Sequence, residues 1–420
     1  MNDLIVAKVD RARMLLAEAR DAADAKKVAD IAHAAEVYAK RQKLSDEAID
    51  YARAVKVDAM TLMGEMLKAA PKNEGTKGKL GPGPGRGKKA ENGSVNKEPP
   101  FSPTPKLSDL GIGKKESSDA QALAQLAKDK PDLHAKVKAG EVTIPQARRI
   151  VQREEKREEL KAKAAAAPAE AADSWRVVHG DCLAELAKLR KGSARLIFAD
   201  PPYNIGIDYG EGEKADLLPD GEYMAWAAEW LRLCHTALAG DGSLWVLIGD
   251  EYAAEYGVAI KGAGFTVRAW VKWYETFGVN CPNNFNRCSR HLFYCVKDPR
   301  RFVFNADAVN RPSDRQAKYG DRRADPGGKI WDDVWVIPRL VGTAKERIPD
   351  FPTQLPLALL RPIVGCCTEP GDLVVDPFNG SGTTGVAAAE AGRRYVGIEK
   401  SERFAELARQ RLLAATHEGA

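Results

Sequence analysis

Short apolar runs alternate with longer amphipathic segments along the C-terminal part of the chain. Seven of the apolar runs predict strands, at residues 176–179, 194–199, 243–248, 265–273, 291–296, 372–375 and 394–398. The segments between them predict helices, at residues 182–190, 221–238, 251–261, 354–366, 383–391 and 402–414. Strands interleaved with helices favour an α/β fold, here a doubly wound seven-stranded sheet in a domain over residues 174–416. Residues 297–350 show neither pattern and form an insertion in this domain.

The N-terminal part of the chain shows only the helical pattern. Residues 1–70 place apolar side chains at helical spacing and contain no Pro or Gly before Gly64, which predicts a helical hairpin or arm. Ser45 marks the start of a helix within it. Such an arm would mediate self-association or pack on the rest of the chain.

Residues 106–152 form a second helical segment, with breaks at Gly111, Pro131 and Gly140. The Leu-Gly-Ile turn near its start is typical of a helix-turn-helix, whose second helix would cover residues 116–126. That helix offers few side chains suited to the edges of bases. A small helical spacer domain is therefore an equal alternative.

Two further stretches connect these segments. Residues 71–105 are rich in Gly, Pro and Lys and predict a flexible basic linker. Its GPGPGRGKK portion lacks the preceding strand and the following helix of a phosphate-binding loop, so that interpretation is rejected. Residues 153–173 change from charged to Ala-rich and predict a connector.

Length and charge narrow the class of protein. The chain has 420 residues, enough for roughly two to three domains, and 64 Lys or Arg against 59 Asp or Glu give a net charge of +5. This mild excess of positive charge permits a nucleic-acid partner without requiring one. No apolar run approaches the roughly 18 residues of a membrane span, and the N-terminus lacks the pattern of a secretory signal. The seven cysteines are therefore expected to stay reduced, in the cytoplasm.

A glycine-rich loop follows the sixth predicted strand. Gly380 and Gly382 let the backbone turn sharply and approach a ligand without an intervening Cβ. Glu399 ends the next strand, 19 residues after Gly380, where an acid contacts ribose hydroxyls in nucleotide sites. The loop lacks the Lys of a triphosphate-binding loop and the third glycine of a dinucleotide-binding loop. It therefore predicts an adenosine ligand without a pyrophosphate, the alternative being a tight turn that binds nothing.

A second candidate site follows the second predicted strand. Asp200 comes directly after the buried run ARLIFA, at the carboxyl end of the strand, where such folds carry out chemistry. Pro201 and Pro202 stiffen the loop and keep their carbonyl groups as acceptors. Asp200 and the Pro201 carbonyl can therefore both accept from one NH2 group on a planar ring that stacks on Tyr203. The alternative is a rigid capping turn without a ligand.

The two motifs together resemble those of a known family. Asp-Pro-Pro-Tyr at 200–203 and Asp-Pro-Phe-Asn-Gly-Ser-Gly-Thr-Thr at 376–384 are similar to the signatures of S-adenosylmethionine-dependent DNA amino-methyltransferases. Their order, with the glycine-rich loop second, is that of the permuted β-group. The resemblance covers residues 175–415. It implies a Rossmann-like methyltransferase domain after an all-helical N-terminal region, with S-adenosylmethionine as cofactor and double-stranded DNA as partner. The insertion at 297–350 is then expected to contribute to target recognition.

The same resemblance implies roles for individual residues. The catalytic residues, expected to hold a flipped-out base, are Asp200, Pro201, Pro202 and Tyr203. The residues expected to bind the cofactor are Asp181, Thr353, Gln354, Asp376, Phe378, Asn379, Gly380, Ser381, Gly382, Thr383 and Glu399. Among these, Glu399 would bind the ribose hydroxyls and Asp181 the adenine amino group. The chain departs from the family near Gln354, because Phe351 and Leu355 replace the usual His and Lys.

The expected reaction is transfer of a methyl group to an exocyclic amine of the flipped base. Hydrogen bonds from that amine to Asp200 and to the Pro201 carbonyl would free its lone pair for in-line attack, so catalysis rests on positioning and electrostatics. Methylation at C5 of cytosine would need a Cys in a Pro-Cys pair, and Cys281-Pro282 has the reverse order. In the family, Asp at the first motif position is similar to the adenine-N6 group and Ser to the cytosine-N4 group. The resemblance therefore implies an adenine-N6 DNA methyltransferase.

Other functions stay open. The target could be N4 of cytosine, or the substrate RNA or a protein glutamine, which only a substrate assay separates. A non-catalytic DNA-binding regulator built on the N-terminal helices is disfavoured because both motifs are intact. In an enzyme, those helices would add DNA affinity or mediate homo-oligomerisation. No metal is expected, because Cys281, Cys288 and Cys295, with His291 among them, are spaced seven residues apart, wider than the pairs of a zinc site.

Overall fold

The computed structural model describes residues 2–71, 106–166, 174–207, 216–279, 281–323, 327–342, 344–348 and 351–418. They fall into two compact units, Met1–Gln152 and Arg153–Ala420. Apart from Pro71, the predicted linker at 71–105 lies outside the described residues, as does the end of the predicted connector at 167–173. No helix within the described ranges is long and apolar enough to cross a membrane.

The first unit is built from helices in its described part. They are α1 (Asn2–Glu18), α2 (Ala22–Arg41), α3 (Asp46–Ala69), α4 (Lys114–Asp129), α5 (Pro131–Ala139) and α6 (Ile144–Ala166), the last of which continues into the second unit. Local sequence explains several helix ends. The Asp21 side chain accepts a hydrogen bond from the Asp24 backbone N–H and begins α2, and Gly140, with a φ of 81°, ends α5. The helix start predicted at Ser45 is confirmed, since α3 begins at the next residue.

One hydrophobic core is shared by the helices of the first unit. Met63 of α3 and Leu123 of α4 are among its fully buried members. Gly64 lets α3 approach the Ala120 backbone of α4 more closely than a Cβ would allow. The segments at 1–70 and 106–152 therefore share one core within a single compact unit, in keeping with the expectation that the first segment would pack on other parts of the chain.

The structure adds detail to two expectations for this region. Residues 107–111 form turns, so the described residues before α4 do not include the first helix of the helix-turn-helix alternative, and α4 buries Ser117. The connector expected at 153–173 continues α6 as far as Ala166. Its Ala, Glu, Lys and Arg residues are good helix formers, and the first proline after Pro145 is Pro168.

Strands and helices alternate in the second unit. The strands are β1 (Trp175–His179), β2 (Ala194–Ala199), β3 (Leu238–Ile248), β4 (Thr266–Val279), β5 (Arg287–Val296), β6 (Asn310–Arg311), β7 (Lys329–Ile330), β8 (Val334–Val336), β9 (Leu373–Asp376) and β10 (Arg394–Glu399). The helices are α7 (Cys182–Ala187), α8 (Asp220–Ala237), α9 (Ala253–Gly262), α10 (Asp314–Ala317), α11 (Leu357–Cys367), α12 (Thr383–Glu390) and α13 (Glu402–Glu418).

The large sheet has the order β1-β10-β9-β2-β3-β5-β4-β8. All its neighbours are parallel except β5, which runs antiparallel to both β3 and β4. The seven predicted strands are confirmed, but the predicted strand count is wrong because β8 adds an eighth at the edge. This three-residue strand lies within the insertion at 297–350 and is too short to show a period of two. The insertion also contributes the small β6–β7 ladder.

Helices cover both faces of the large sheet. Alternate residues of β2 face opposite sides, as a strand requires: Leu196 and Phe198 join a core with α11, α12 and α13, while Ile197 joins a core with α8 and α9. Along the chain, β2 leads through α8 to β3, whereas β9 leads through α12 to β10 on the other side. The direction of the connections therefore reverses between β9 and β2. In open α/β sheets, ligands bind in the crevice at the carboxyl ends of the strands at such a reversal.

Candidate active site

Four carboxylates lie at the carboxyl ends of four neighbouring parallel strands. Asp181 follows β1, Glu399 ends β10, Asp376 ends β9 and Asp200 follows β2. The strand register places Glu399 beside His179, two residues before Asp181. Residues far apart in the sequence thus share one edge of the sheet, and the pair Asp376 and Asp200 flanks the reversal of the connections.

The glycine-rich loop turns from β9 into α12 through two left-handed residues. Gly380 has a φ of 51° and Gly382 a φ of 76°. A Cβ on Gly380 would lie 2.9 Å from Phe351 Cζ, and one on Gly382 would lie 3.1 Å from the Cβ of Ala408. Because L side chains rarely adopt this backbone and the neighbours leave little room, both positions require glycine.

Asp376 is buried beneath this loop. Its Oδ2 accepts a hydrogen bond from the Thr384 hydroxyl at 2.6 Å, and its Oδ1 accepts one from the Phe378 backbone N–H at 3.0 Å. Burial raises the pKa of Asp376 to about 7, although both hydrogen bonds favour the ionised form. The carboxyl group therefore ties the start of the loop to the first turn of α12.

Three further side chains of the loop also have partners within the protein. The Tyr395 hydroxyl donates to Asn379 Oδ1 at 2.8 Å. Arg411, buried on α13, donates through Nη1 to the Ser381 hydroxyl at 3.2 Å and to the Thr383 hydroxyl at 2.8 Å. In this structure Asn379, Ser381 and Thr383, all expected to bind cofactor, use their side chains to hold the loop. Arg411 was not predicted, because nothing in the pattern of the last helix distinguishes it from the other arginines there.

Phe378 lies against two tryptophans of α8. Its ring centroid is 5.6 Å from that of Trp226 and 5.3 Å from that of Trp230. Trp230 is fully buried, whereas Trp226 and Phe378 are partly exposed. These rings form an aromatic wall beside the glycine-rich loop, and the sequence analysis placed the two tryptophans only within the amphipathic helix predicted at residues 221–238.

The outer two carboxylates have fixed orientations. Glu399 accepts from the Gly380 backbone N–H at 2.7 Å through Oε2 and from the Ser401 N–H at 3.0 Å through Oε1. Asp181 is exposed and begins α7 by accepting from the Leu183 N–H at 3.0 Å. Both acids therefore lie at the sheet edge with their side chains held by backbone donors.

Asp200 and Tyr203 form a hydrogen-bonded pair after β2. The Tyr203 hydroxyl donates to Asp200 Oδ1 at 2.9 Å. Burial raises the pKa of Asp200 to about 7, Tyr203 and the positive charge of Arg290 lower it in part, and Glu275 raises it further. Among the described residues, neither Oδ2 of Asp200 nor the Pro201 carbonyl has a hydrogen-bond partner. Two acceptors are therefore present at the position where the sequence predicts them.

The following residues anchor this loop to the protein. The Tyr223 hydroxyl donates to the Pro202 carbonyl at 2.7 Å. Asn204 is buried with a φ of 58°, accepts from the Leu218 N–H at 2.6 Å and donates its own backbone N–H to Asp216 at 3.0 Å. Pro202 thus has a structural partner for its carbonyl. Tyr223, Asp216 and the role of Asn204 were not predicted; the tolerance of Asn for left-handed backbone is the only local signal.

The segment before α11 packs beneath the glycine-rich loop. Gln354 is buried, accepts from the Ile348 N–H at 2.7 Å and donates to the Glu346 carbonyl at 2.6 Å, whereas Thr353 is exposed. The buried Phe351 ring lies at Gly380. Phe351, which replaces the usual His of the family, is therefore an apolar residue that packs against the glycine-rich loop.

No cluster of three or more candidate metal ligands occurs in the part of the chain that the structure describes. Cys295 is buried in the core on β5. His291 is also buried, and its Nδ1 accepts from the Trp270 indole N–H at 2.8 Å.

Known proteins are similar to the part of the chain that contains these loops. The DNA methylase family matches residues 194–410, which include both loops and Glu399. DNA adenine methyltransferase YhdJ of Escherichia coli K12 is 34% identical over 252 residues, 57% of this chain and 83% of that protein. Type II methyltransferase M.HpaI of Haemophilus parainfluenzae is 30% identical over 239 residues, 56% of this chain and 74% of that protein.

Two solved structures are also similar. The complex of M1.HpyAVI with S-adenosylmethionine has a TM-score of 0.42 and 21% identity, over 57% of this chain and 98% of the other. The cytosine-N4-specific PvuII DNA methyltransferase has a TM-score of 0.44 and 18% identity, over 58% of this chain and 92% of the other. The family match over about half of the chain and the extent of the match to YhdJ show that this chain belongs to the DNA methylase family.

Proposed function

We propose that this methyltransferase transfers a methyl group from S-adenosylmethionine to the N6 amino group of a flipped-out adenine in double-stranded DNA. The observation that carries the proposal is the pair of acceptors, Asp200 Oδ2 and the Pro201 carbonyl, which follow β2, the neighbour of the strand β9 that leads into the glycine-rich loop. Two features favour adenine over N4 of cytosine. The first motif residue is Asp, and the relative YhdJ is named an adenine methyltransferase.

The residues present fit S-adenosylmethionine. Gly380 and Gly382 offer backbone without side chains, and the partly exposed ring of Phe378 stands beside them. Glu399 and Asp181 bring acceptors to the adjoining strand ends, suited to ribose hydroxyls and an adenine amino group. When bound, S-adenosylmethionine supplies an electrophilic methyl carbon attached to a sulfonium. Asn379, Ser381, Thr383 and Gln354 support this site through the contacts described above, and Thr353 at the methionine end stays a prediction.

The remaining steps belong to Asp200, Pro201 and Tyr203. Asp200 Oδ2 and the Pro201 carbonyl accept from the two N–H bonds of the target amine, which directs its lone pair at the methyl carbon. As the N–C bond forms and the methyl–sulfur bond breaks, the sulfur is left as a neutral thioether and the nitrogen becomes positively charged. The Asp200 carboxylate stabilises that charge, and the excess proton of the amine passes to it and on to solvent. Tyr203 offers its ring for stacking, which offsets part of the few kcal/mol that base flipping costs.

Product analysis tests the proposal. The protein is incubated with methyl-labelled S-adenosylmethionine and duplex DNA of mixed sequence, and the DNA is digested to nucleosides. We expect the label in N6-methyldeoxyadenosine. Label in N4-methyldeoxycytidine would overturn the base assignment and keep the reaction class, whereas labelled RNA or protein with unlabelled DNA would overturn the substrate.

Two variants assign the site in the same assay. Asp200→Asn should lose transfer and retain S-adenosylmethionine binding, measured by calorimetry, since Asp200 is placed on the amine and not on the cofactor. Glu229→Gln, which changes an exposed acid on α8 outside the insertion at 297–350, is the matched control and should keep full activity. Equal loss of binding and transfer in Asp200→Asn would contradict the role given to Asp200.

The first unit lies outside the residues that the family matches. We propose that it adds DNA affinity or mediates homo-oligomerisation, and that the insertion at 297–350 contributes to target recognition. Sedimentation velocity and DNA-binding measurements on the full chain and on a chain without the first unit distinguish the two roles of that unit. A cytoplasmic location stays a prediction.

A further inference from the structure

A half-buried arginine on β5 covers one side of the Tyr203 ring. The guanidinium carbon of Arg290 lies over the ring, 5.4 Å from its centroid. Arg290 is opposite Trp273 in the β4–β5 ladder, so its backbone is fixed by the sheet and not by a loop. A cation at this distance over an aromatic face is attracted by the ring quadrupole.

A buried carboxylate orients this arginine. Glu275 is 9% exposed, and its Oε1 is 3.6 Å from Arg290 Nε. The other charged groups nearby are Asp200 and Glu251, and Glu251 is itself paired with Arg287. Arg290 therefore stands between the buried Glu275 and the Tyr203 ring, held by charge on one side and by the ring on the other.

The end of β3 closes the same side of Tyr203. A Cβ on Gly249 would lie 3.2 Å from Tyr203 Cδ2, 2.8 Å from Glu251 Oε2 and 3.6 Å from Arg290 Nη1. The ring, the guanidinium and the backbone at Gly249 thus lie close together, and a side chain at residue 249 would press on the Tyr203 ring. At its other end, Tyr203 is fixed by the hydrogen bond from its hydroxyl to Asp200.

We propose that Arg290 is a positioning residue for methyl transfer: it holds the Tyr203 ring from one face, so that the opposite face is presented to the target base and the hydroxyl stays on Asp200. The proposal rests on the proposed function and deepens it. In this role Arg290 acts through Tyr203 and Asp200 and not by direct contact with the amine or the methyl donor. Its positive charge also favours the ionised form of Asp200, as the lowering of that group's pKa by Arg290 indicates.

The test compares Arg290→Met and Arg290→Lys with a matched control in the full-length protein. Arg268→Met is that control, because Arg268 also lies over an aromatic ring, that of Phe302 at 4.9 Å, and is not part of the site. We expect Arg290→Met to lower kcat by about tenfold or more, since a misplaced acceptor removes near-attack geometry. Arg290→Lys should recover part of the loss, and Arg268→Met should leave kcat unchanged.

A pH profile separates positioning from a general structural effect. Loss of the Arg290 charge should move the rise of kcat/KM to higher pH in Arg290→Met, with smaller movement in Arg290→Lys. If Arg290→Met does not fold, Glu275→Gln is the alternative, because it keeps the shape of the Glu275–Arg290 pair but removes the charge that holds Arg290. This variant should give a smaller loss in kcat and leave the KM for S-adenosylmethionine unchanged.

Three outcomes would overturn the inference. The first is that Arg290→Met has the same kcat and pH profile as the control. If Arg290→Met does not fold, the same result for Glu275→Gln would overturn the inference. The second is an Arg290→Met variant with a normal kcat but weaker DNA binding, whose salt dependence shows about one fewer ion released on binding. That result would make Arg290 a contact to a DNA phosphate. The third is a loss with no pH shift and no recovery by Lys. Failure of the wild-type protein to methylate DNA would instead count against the proposed function.

Discussion

The ionisation of Asp200 should set the pH dependence of methyl transfer. Its carboxylate form is the better acceptor for the target amine, and burial raises its pKa to about 7. Activity that needs the ionised form therefore falls as pH drops below the pKa. With a pKa of about 7, the ionised fraction rises roughly tenfold between about pH 6 and pH 8, and kcat/KM should rise by the same factor.

A second buried acid has a similar pKa and must be distinguished. Burial also raises the pKa of Asp376 to about 7. Each acid accepts from one hydroxyl: Tyr203 donates to Asp200 and Thr384 to Asp376. Removing either donor destabilises chiefly the carboxylate that it serves, and the two acids also interact through charge, since Asp200 raises the pKa of Asp376. The variants Tyr203→Phe and Thr384→Val therefore form a matched pair in which each variant mainly changes the pKa of one acid.

The assay is kcat/KM for DNA across about pH 5.5 to 9, measured by transfer of labelled methyl groups. A hydrogen bond to a charged group contributes about 1.5–3 kcal/mol, so Tyr203→Phe should move the rise in activity upward by about one pH unit or more. Thr384→Val should leave its position unchanged. A shift in Thr384→Val with none in Tyr203→Phe would refute the reasoning and assign the ionisation to Asp376. A flat wild-type profile would refute it for both acids.

Three further predictions follow from the same structure. Because burial raises the pKa of Asp376, the stability that its protonated form contributes is fully present below about pH 4 and is lost as pH rises through about 7. Asp376→Asn should therefore reduce the slope of the ligand-free unfolding free energy against pH in that window, measured by urea titration, while the contribution of Asp200 remains. An unchanged slope would count against this assignment. Gly382→Ala places a Cβ at a residue with a φ of 76°, 3.1 Å from the Cβ of Ala408. It should therefore lower the unfolding free energy by about 1–2 kcal/mol and weaken S-adenosylmethionine binding. The control is Gly371→Ala, whose Cβ would meet open space, so that this variant carries the backbone strain alone. A chain beginning at Arg153 should melt at a higher temperature than one beginning at Ser174. The reason is that Lys156 donates to the Arg347 carbonyl at 2.6 Å, and Leu160 packs on Phe351 and Phe404. Equal melting temperatures would show that the last part of α6 does not stabilise this unit.

The strands could be predicted because their signal is local. An apolar run with polar flanks marks β2, whose observed bounds, Ala194–Ala199, are those predicted. By contrast, β8 has three residues, and its strand character comes from pairing with Lys272, Trp273 and Tyr274, more than 60 residues away. No local pattern reports such a partner.

The same contrast holds in the site. The glycine-rich loop could be recognised because its backbone geometry demands particular residues, and Gly380 and Gly382 both have positive φ. Arg411 supports that loop from α13, and Arg290 supports Tyr203 from β5, but each is one arginine among many in the sequence. What selects them is the fold, which brings their helix or strand to the loop.

The two prolines after Asp200 give this carboxylate a different setting from the other three at the sheet edge. Each of the others accepts from a backbone N–H two residues further along: Asp181 from Leu183, Asp376 from Phe378 and Glu399 from Ser401. Asp200 has no such donor, because the residue two positions on is Pro202, which has no N–H. Its remaining support comes from the Tyr203 hydroxyl and, through charge, from Arg290. The prolines thus keep one carboxylate oxygen and the Pro201 carbonyl without local donors. These are the acceptors that we propose for the target amine, so in that mechanism the double proline contributes to the chemistry by withholding hydrogen bonds as well as by stiffening the loop.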